Sequence, residues 1–475
     1  MVTKSLEAIL GLKNQHRGEQ GFIVGTGPSL AYRDLSALKN EITIGLNLSP
    51  LTLGQSGVTP TFNIIADKDV IPQFKDVYAR ILRGTPTTKI IIAGACKTFP
   101  QELIDERTYF VPPHHPQGII RFAQNPLREG FWRGKTVAYD ALQFAYFLGF
   151  DRVNVIGMDM STNHDWGKDG HSYEIHRNPN FPNLIFPKTQ SHIIQKGLPG
   201  HPEYRALIVR YMQEAQRQFE QAGRHVVNDI TSSLEVFVQE DLLEKIAPKQ
   251  HVVAFVPAKG TSTRVTNKNI RKLGDKSLFL HVLDTLLTCH TIQEIYLDSE
   301  AQAVFDLASG RRHKELHRPE SLASNRTDGN QLFLYEARQV PDADIYVQVL
   351  PTAPFLSQST IDEAVFRLIV KKEHDSVFAA RREKMYLWNA DSTPRNYNPM
   401  HIPNSVDLPA TIIETMSLYA IRKATLLSGK SRIGKTPHIL PIPLIESIDI
   451  NTEEDFAFAE LVIRGLQQGE LYGRL

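Results

Sequence analysis

The sequence predicts two consecutive α/β domains with mostly parallel sheets, and three observations predict them. At 475 residues the chain is longer than one ordinary hydrophobic core supports. Short apolar strand patterns alternate with helical patterns through both halves. The alternation then restarts at HVVAFVP (251–257), behind a short APKQ linker, as a new first strand would. The expected division is 1–248 and 249–475.

In the first half, Phe22 to Val24 form a short strand that enters the glycine turn GTGPSL (25–30). ITIGLN (42–47), TFNIIAD (61–67), KIIIAG (89–94) and RVNVIGMD (152–159) are the next strands. TVAYDALQFAYFLGF (136–150) has a helical period, and EYRALIVRYMQEAQRQFEQAG (203–223) is a long amphipathic helix ahead of the strand HVVND (225–229). LEVFVQEDLLEKI reads as a short closing helix. In the second half the strands are 251–257, EIYLD (294–298), DIYVQVLP (344–351) and DSVFAA (375–380). FLHVLDTLL (279–287) and TIDEAVFRLIVKK (360–372) are the helices between them.

Composition excludes several classes. Fifty-three basic residues against 52 acidic give a net charge of +1, without the basic excess of a nucleic-acid protein. Two cysteines cannot build a disulfide framework and fit a reducing cytoplasm. The N-terminal stretch lacks an apolar core followed by a cleavage site, so no signal peptide is expected. No run of about 18 apolar residues predicts a membrane span.

The loop AFVPAKGTSTRVTNKN (254–269) follows the first strand of the second half, where open α/β sheets bind ligands. It lacks the GKS or GKT ending of a Walker loop. Gly260 permits close backbone approach. Lys259, Arg264 and Lys268 supply positive charge, Ser262 a hydroxyl, and Asn269 an amide for a base or ribose. The set suits a nucleoside triphosphate.

PAKGTSTRVTNKNI (257–270) resembles the first loop of the CMP-sugar synthetases, the cytidylyltransferases that activate sialic, legionaminic and pseudaminic acids and Kdo. YLDSE (296–300), HRPESLAS (317–324), VQVLPTAPFL (347–356) and ESIDINTEEDFAFAE (446–460) resemble further motifs of that family, in order. The resemblance implies a Rossmann-like domain that binds CTP with Mg²⁺. The anomeric hydroxyl of an α-keto acid sugar would attack the α-phosphate and expel pyrophosphate. It implies Lys268 and Arg264 as catalytic cations, and Arg318 and Gln348 as nucleotide or sugar contacts. Asp449 and Asn451 fall at the metal positions, and a homodimer is the family's usual state. Departures are Thr263 for a lysine, Lys259 for an arginine and Asn451 for the second acid. A scaffold that binds nucleotide without turnover is the alternative.

The first half resembles the bacterial sialyltransferases of glycosyltransferase family 42, through GTGPSL, Asn47, LGFDRVNVIGMD (148–159), Tyr173 and the pair Gly200-His201. That implies a second Rossmann-like domain, which binds a CMP-sugar through Gly25, Thr26, Gly27, Ser29, Asn47 and Tyr173 and passes the sugar to an acceptor glycan. His201 is the implied general base and His171 its competitor. The same opening occurs in flagellin-modifying and pterin-kinase-like proteins, so a pterin-type diphosphokinase is the alternative. Together the halves imply a bifunctional enzyme.

Overall fold

The computed structural model describes residues 11–66, 68, 70–92, 94–111, 113–114, 120–134, 136–159, 202–262, 265–324 and 326–467. The chain divides into two compact units, Met1–Lys249 and Gln250–Leu475.

The first unit is an eight-stranded sheet of β1 (Gln20–Val24), β2 (Thr43–Leu46), β3 (Phe62–Ile65), β4 (Thr88–Ile92), β5 (Thr108–Val111), β6 (Arg152–Ile156), β7 (His225–Asp229) and β8 (Val238–Glu240). The order is β8-β7-β6-β1-β2-β3-β4-β5, and every neighbouring pair is parallel. A parallel sheet covered on both faces needs strands that are apolar throughout. Ile23, Ile44, Ile64 and Ile90 accordingly pack in one core, while Ile65 and Ile91, and Phe22 and Val24, pack in two others.

Helix α1 (Val137–Leu148) is apolar nearly all round and almost wholly buried. Thr136 caps its start by accepting from the Ala138 N–H. Gly149 ends it in the left-handed region at φ 95°. Helix α2 (Pro202–Gln221) places Ile208, Met212, Ala215 and Phe219 in the same core. Strand order reverses at β1, so the crevice outside the carboxyl ends of β1 and β6 is the topological switch point.

The second unit is a seven-stranded sheet: β9 (Val252–Pro257), β10 (Glu294–Ser299), β11 (Lys314–His317), β12 (Ile345–Val349), β13 (Ser376–Glu383), β14 (Thr411–Arg422) and β15 (Pro437–Pro441). Its order is β11-β10-β9-β12-β14-β13-β15. β14 runs antiparallel between β12 and β13, and the other pairs are parallel. The flanking helices include α3 (Leu278–Leu286), α4 (Gly329–Gln339), α5 (Gln358–Val370) and α6 (Glu453–Gln467). Here the order reverses at β9, which puts the 258–269 loop at the switch point.

One local expectation is corrected. The LEVFVQEDLLEKI segment is a strand followed by a short helix, Leu242–Ile246. Asp241 divides them, because its carboxylate accepts from the Glu244 N–H and starts the helix there. No helix among the described residues is long and apolar enough to cross a membrane.

Candidate active site

In the second unit the loop after β9 is braced from within and from β10. The Ala258 N–H donates to the Asp298 carbonyl at 2.9 Å, and the Gly260 N–H to Glu300 Oε1 at 2.8 Å. A Cβ on Gly260 would lie 2.3 Å from the Ala301 Cβ. The glycine is therefore required by this packing, whatever the loop binds. Asn269 Nδ2 donates to the Lys259 carbonyl at 2.8 Å and closes the loop on itself. Ser262 is half-buried, and Arg264 lies outside the described residues.

Lys268 is buried, contrary to the exposure expected of a loop lysine. Its ammonium donates to the Ile450 carbonyl at 2.6 Å. Ile450 stands between Asp449 and Asn451, so the loop cation and the closing segment meet. Asn451 Nδ2 donates to Asp449 Oδ2 at 2.5 Å. Asp455 accepts from the Asn451 and Thr452 N–H groups at 2.9 and 2.8 Å at the start of α6. Burial pushes the Asp455 carboxyl up, but these hydrogen bonds, aided by the Lys268 charge, hold it below its ordinary value.

Arg318 and Gln348 are joined through two acids that sequence reading did not assign a role. Arg318 is buried, and its Nη2 donates to the Asp298 carbonyl at 2.6 Å. Its Nε lies 3.2 Å from Asp298 Oδ1 and 3.7 Å from Glu300 Oε2. Gln348 Nε2 donates to Glu336 Oε2 at 2.6 Å, and both side chains are wholly buried. The Asp298 charge in turn acts on Glu336. Burial raises the Asp298 carboxyl, while the Arg318 charge opposes the rise. Burial, then the Asp298 charge, puts Glu336 well above its ordinary range. The available signal was Glu336 itself, a charged residue three positions after Phe333 on the core-facing side of α4.

In the first unit the expected residues collect at the switch point, but several are used internally. The Gly25 N–H donates to the Ile156 carbonyl at 2.9 Å and the Gly27 N–H to the Gly157 carbonyl at 2.7 Å. A Cβ on Gly25 would lie 2.2 Å from the Gly157 oxygen, and one on Gly27 2.5 Å from the Asp159 carboxyl carbon. These glycines let two loops touch. Ser29 donates to Asp159 through its N–H at 2.7 Å and its hydroxyl at 2.5 Å. Thr26 is half-buried in the same turn. Asn47 sits at φ 47°, and its Oδ1 accepts from the Ala66 N–H at 3.0 Å, tying β2 to the end of β3. His171, Tyr173 and His201 lie outside the described residues.

The second unit is an α/β domain with its first loop at the switch point of the sheet, and comparison with known proteins adds a family to that fold. Residues 253–396 match the family described as Cytidylyltransferase, so the C-terminal region carries a cytidylyltransferase domain. The chain is 24% identical over 218 residues to an N-acylneuraminate cytidylyltransferase A of Danio rerio, covering 44% of this chain and 50% of that one. It is 27% identical over 232 residues to a CMP-N,N'-diacetyllegionaminic acid synthase of Legionella pneumophila, covering 44% of this chain and 94% of that one. Among solved structures, a CMP:2-keto-3-deoxy-manno-octonic acid synthetase with CTP is similar at a TM-score of 0.35 and 14% identity, over 45% of this chain and 98% of that one. The chain spans about half the length of the first curated relatives it matches.

Proposed function

We propose that the second unit activates a nonulosonic-type acid sugar with CTP, giving a CMP-sugar and pyrophosphate. In the same reading, the first unit transfers the sugar from CMP to an acceptor glycan. The observation that carries the synthetase half is the contact between Lys268, inside the region that matches cytidylyltransferases, and the 449–451 segment beyond it. It gives one cation and one carboxylate at the carboxyl edge of the sheet, where a triphosphate would be received. The names of the acylneuraminate and legionaminic relatives support an acid sugar as the partner.

Lys268 and Arg264 would act on the phosphates by charge and position, which is how such transition states are stabilised. Lys259, Ser262 and Asn269 would line the nucleotide, with Arg318 and Gln348 at the base or sugar. Among the described residues no three acidic, histidine or cysteine side chains gather to hold a metal. Asp449 with the Asn451 amide oxygen nevertheless fits Mg²⁺, which needs only one or two protein oxygens when phosphates and water complete its shell. When bound, the ion would neutralise charge on the phosphates. Exposed Trp388, Met400, Ile402 and Val406 support a homodimer of this unit, and a cytoplasmic site accords with the nucleotide substrates.

Asn451→Asp sets a second carboxylate against Asp449 in place of the amide donor at 2.5 Å. Two like charges so close are relieved by a cation. The variant should reach half-maximal activity at a lower Mg²⁺ concentration than the wild type. A higher requirement, or full wild-type activity without metal, would remove these residues from metal binding.

The transferase half is supported by the GTGPSL turn at the switch point of an all-parallel sheet. Gly25, Thr26, Gly27, Ser29, Asn47 and Tyr173 would form the donor site, and His201 or His171 the base. The full chain, supplied with CTP, Mg²⁺, a panel of nonulosonic acids and glycan acceptors, should release pyrophosphate. It should also yield CMP-sugar and glycosylated acceptor by mass spectrometry. Absence of pyrophosphate with every sugar acid overturns the synthetase and leaves a nucleotide-binding scaffold. CMP-sugar that accumulates without transfer overturns the first unit's role and favours a pterin-type diphosphokinase. His201→Ala should stop transfer while CMP-sugar still forms.

A further inference from the structure

We propose that Asn63 is a positioning residue: its buried amide holds the Asn47 main chain so that the Asn47 side chain presents its N–H groups, and no acceptor, to an oxygen of the CMP moiety. The inference rests on the transferase reading of the first unit and deepens it. β3 reads FNII, and Asn63 is wholly buried in that otherwise apolar strand. Its neighbour across the ladder is Gly45 on β2. A Cβ on Gly45 would lie 2.8 Å from Asn63 Oδ1 and 2.7 Å from Ser49 Oγ, so the glycine makes room for both polar groups.

Asn63 Oδ1 is buried and has no hydrogen-bond partner among the described residues. A buried acceptor without a donor is costly, and an apolar side chain of the same shape would avoid that cost. What the amide supplies in return lies on its nitrogen. Asn63 Nδ2 donates to the Asn47 carbonyl at 3.1 Å. A carbonyl oxygen can only accept, so this contact fixes which way the amide is turned.

Asn47 is the first residue beyond β2, at the carboxyl edge of the sheet and beside the switch point. Its φ of 47° is left-handed, a conformation that a residue with a side chain keeps where its surroundings hold it. Hydrogen bonds hold it on every side. The Asn47 N–H donates to the Ile64 carbonyl at 2.8 Å, its carbonyl accepts from Asn63, and its Oδ1 accepts from the Ala66 N–H at 3.0 Å.

The Ala66 N–H must meet an oxygen, so Nδ2 is the part of the Asn47 amide left over. It makes no hydrogen bond among the described residues, and Asn47 is only half-buried. An N–H group bonds an acceptor, which in CMP is a phosphate oxygen or the cytosine carbonyl. Asn63 therefore never needs to touch the ligand. It fixes the main chain from which the Asn47 donor projects.

The test uses the full chain, with CMP as the probe. Asn63→Leu keeps the shape of the side chain and removes both the donor and the unpartnered oxygen. Its melting temperature should equal or exceed that of the wild type, while titration calorimetry shows CMP bound about tenfold more weakly, the scale of one lost hydrogen bond. Asn47→Gly keeps the left-handed backbone, removes the amide, and should weaken CMP binding at least as much. The double variant should bind CMP no more than about twofold more weakly than Asn47→Gly alone, because Asn63 acts only through Asn47. Neither substitution lies in the second unit, so any CMP held there is common to all four proteins. Losses that multiply in the double variant would make Asn63 a merely structural residue and overturn the proposal. So would CMP binding unchanged in Asn63→Leu but weakened in Asn47→Gly. CMP binding unchanged in Asn47→Gly overturns the donor-site reading itself, and the proposal with it. If Asn63→Leu does not fold, Asn63→Ala takes its place in the cycle, with the same outcomes expected for binding.

Discussion

Lys268→Ala should lower pyrophosphate release by roughly two orders of magnitude, the scale for losing one preorganised charge at a phosphate. The burial of this lysine adds a second effect. Alanine leaves the Ile450 carbonyl without its donor and Asp455 without a neighbouring cation. A buried acceptor left unpaired costs about 1–3 kcal/mol, so the variant should also melt several degrees lower. The two effects are separable, because added CTP should raise the melting temperature of the wild type far more than that of the variant. Lys268→Arg should recover part of the stability by restoring the charge and a donor. A folded Lys268→Ala protein with unchanged pyrophosphate release would remove Lys268 from the phosphate site.

Much of the fold was legible because parallel strands announce themselves. Runs such as GFIV (21–24), III (90–92) and VVAFVP (252–257) are apolar at every position, and each lies in a strand of the central sheets. Other strands, β5, β11, β14 and β15 among them, had no expectation. β14 spans 12 residues, yet its first half is mostly exposed and includes Met416 at a positive φ opposite an irregularity in β13. β11, KELH, has no buried residue and forms an edge.

The candidate site was legible at the level of residue type and less so at the level of bonding. Gly260 was singled out for close approach to a ligand, and Gly25 and Gly27 as donor-site residues in a glycine turn. In the fold, each is required by neighbouring protein atoms. Ser29 and Asn47 spend hydrogen-bonding groups on Asp159 and the end of β3, contacts that depend on crossovers no local pattern reveals. Glu336 is a polar residue in an otherwise core-facing helical row, which marks a buried acid but not its partner. Only the fold, with β10 and β12 on either side of β9, shows that the Asp298 charge acts on it.

Arg318→Met should be the most destabilising single change in this cluster, and its cost should depend on pH. The guanidinium is the charge that opposes the burial of Asp298, with its Nε at 3.2 Å from the carboxylate. Removing one partner of a buried pair typically costs about 3–5 kcal/mol, because the remaining charge is stranded. Here the stranded acid has an escape, since a proton can neutralise it. Without Arg318, Asp298, which burial already raises, should hold its proton to still higher pH. The native state then takes up protons relative to the unfolded chain, so stability falls as pH rises. The melting temperature of Arg318→Met should therefore lie close to wild type near pH 5 and fall progressively behind it toward pH 8. Arg318→Lys should fall between the two, because a lysine supplies charge but not the guanidinium's several fixed donors. The sugar-acid or CTP KM should rise in both variants, through loss of the expected ligand contact. A small deficit that is the same at pH 5 and pH 8 would mean that Asp298 never depended on Arg318. The line from Arg318 to Gln348 would then be a set of neighbours without electrostatic coupling.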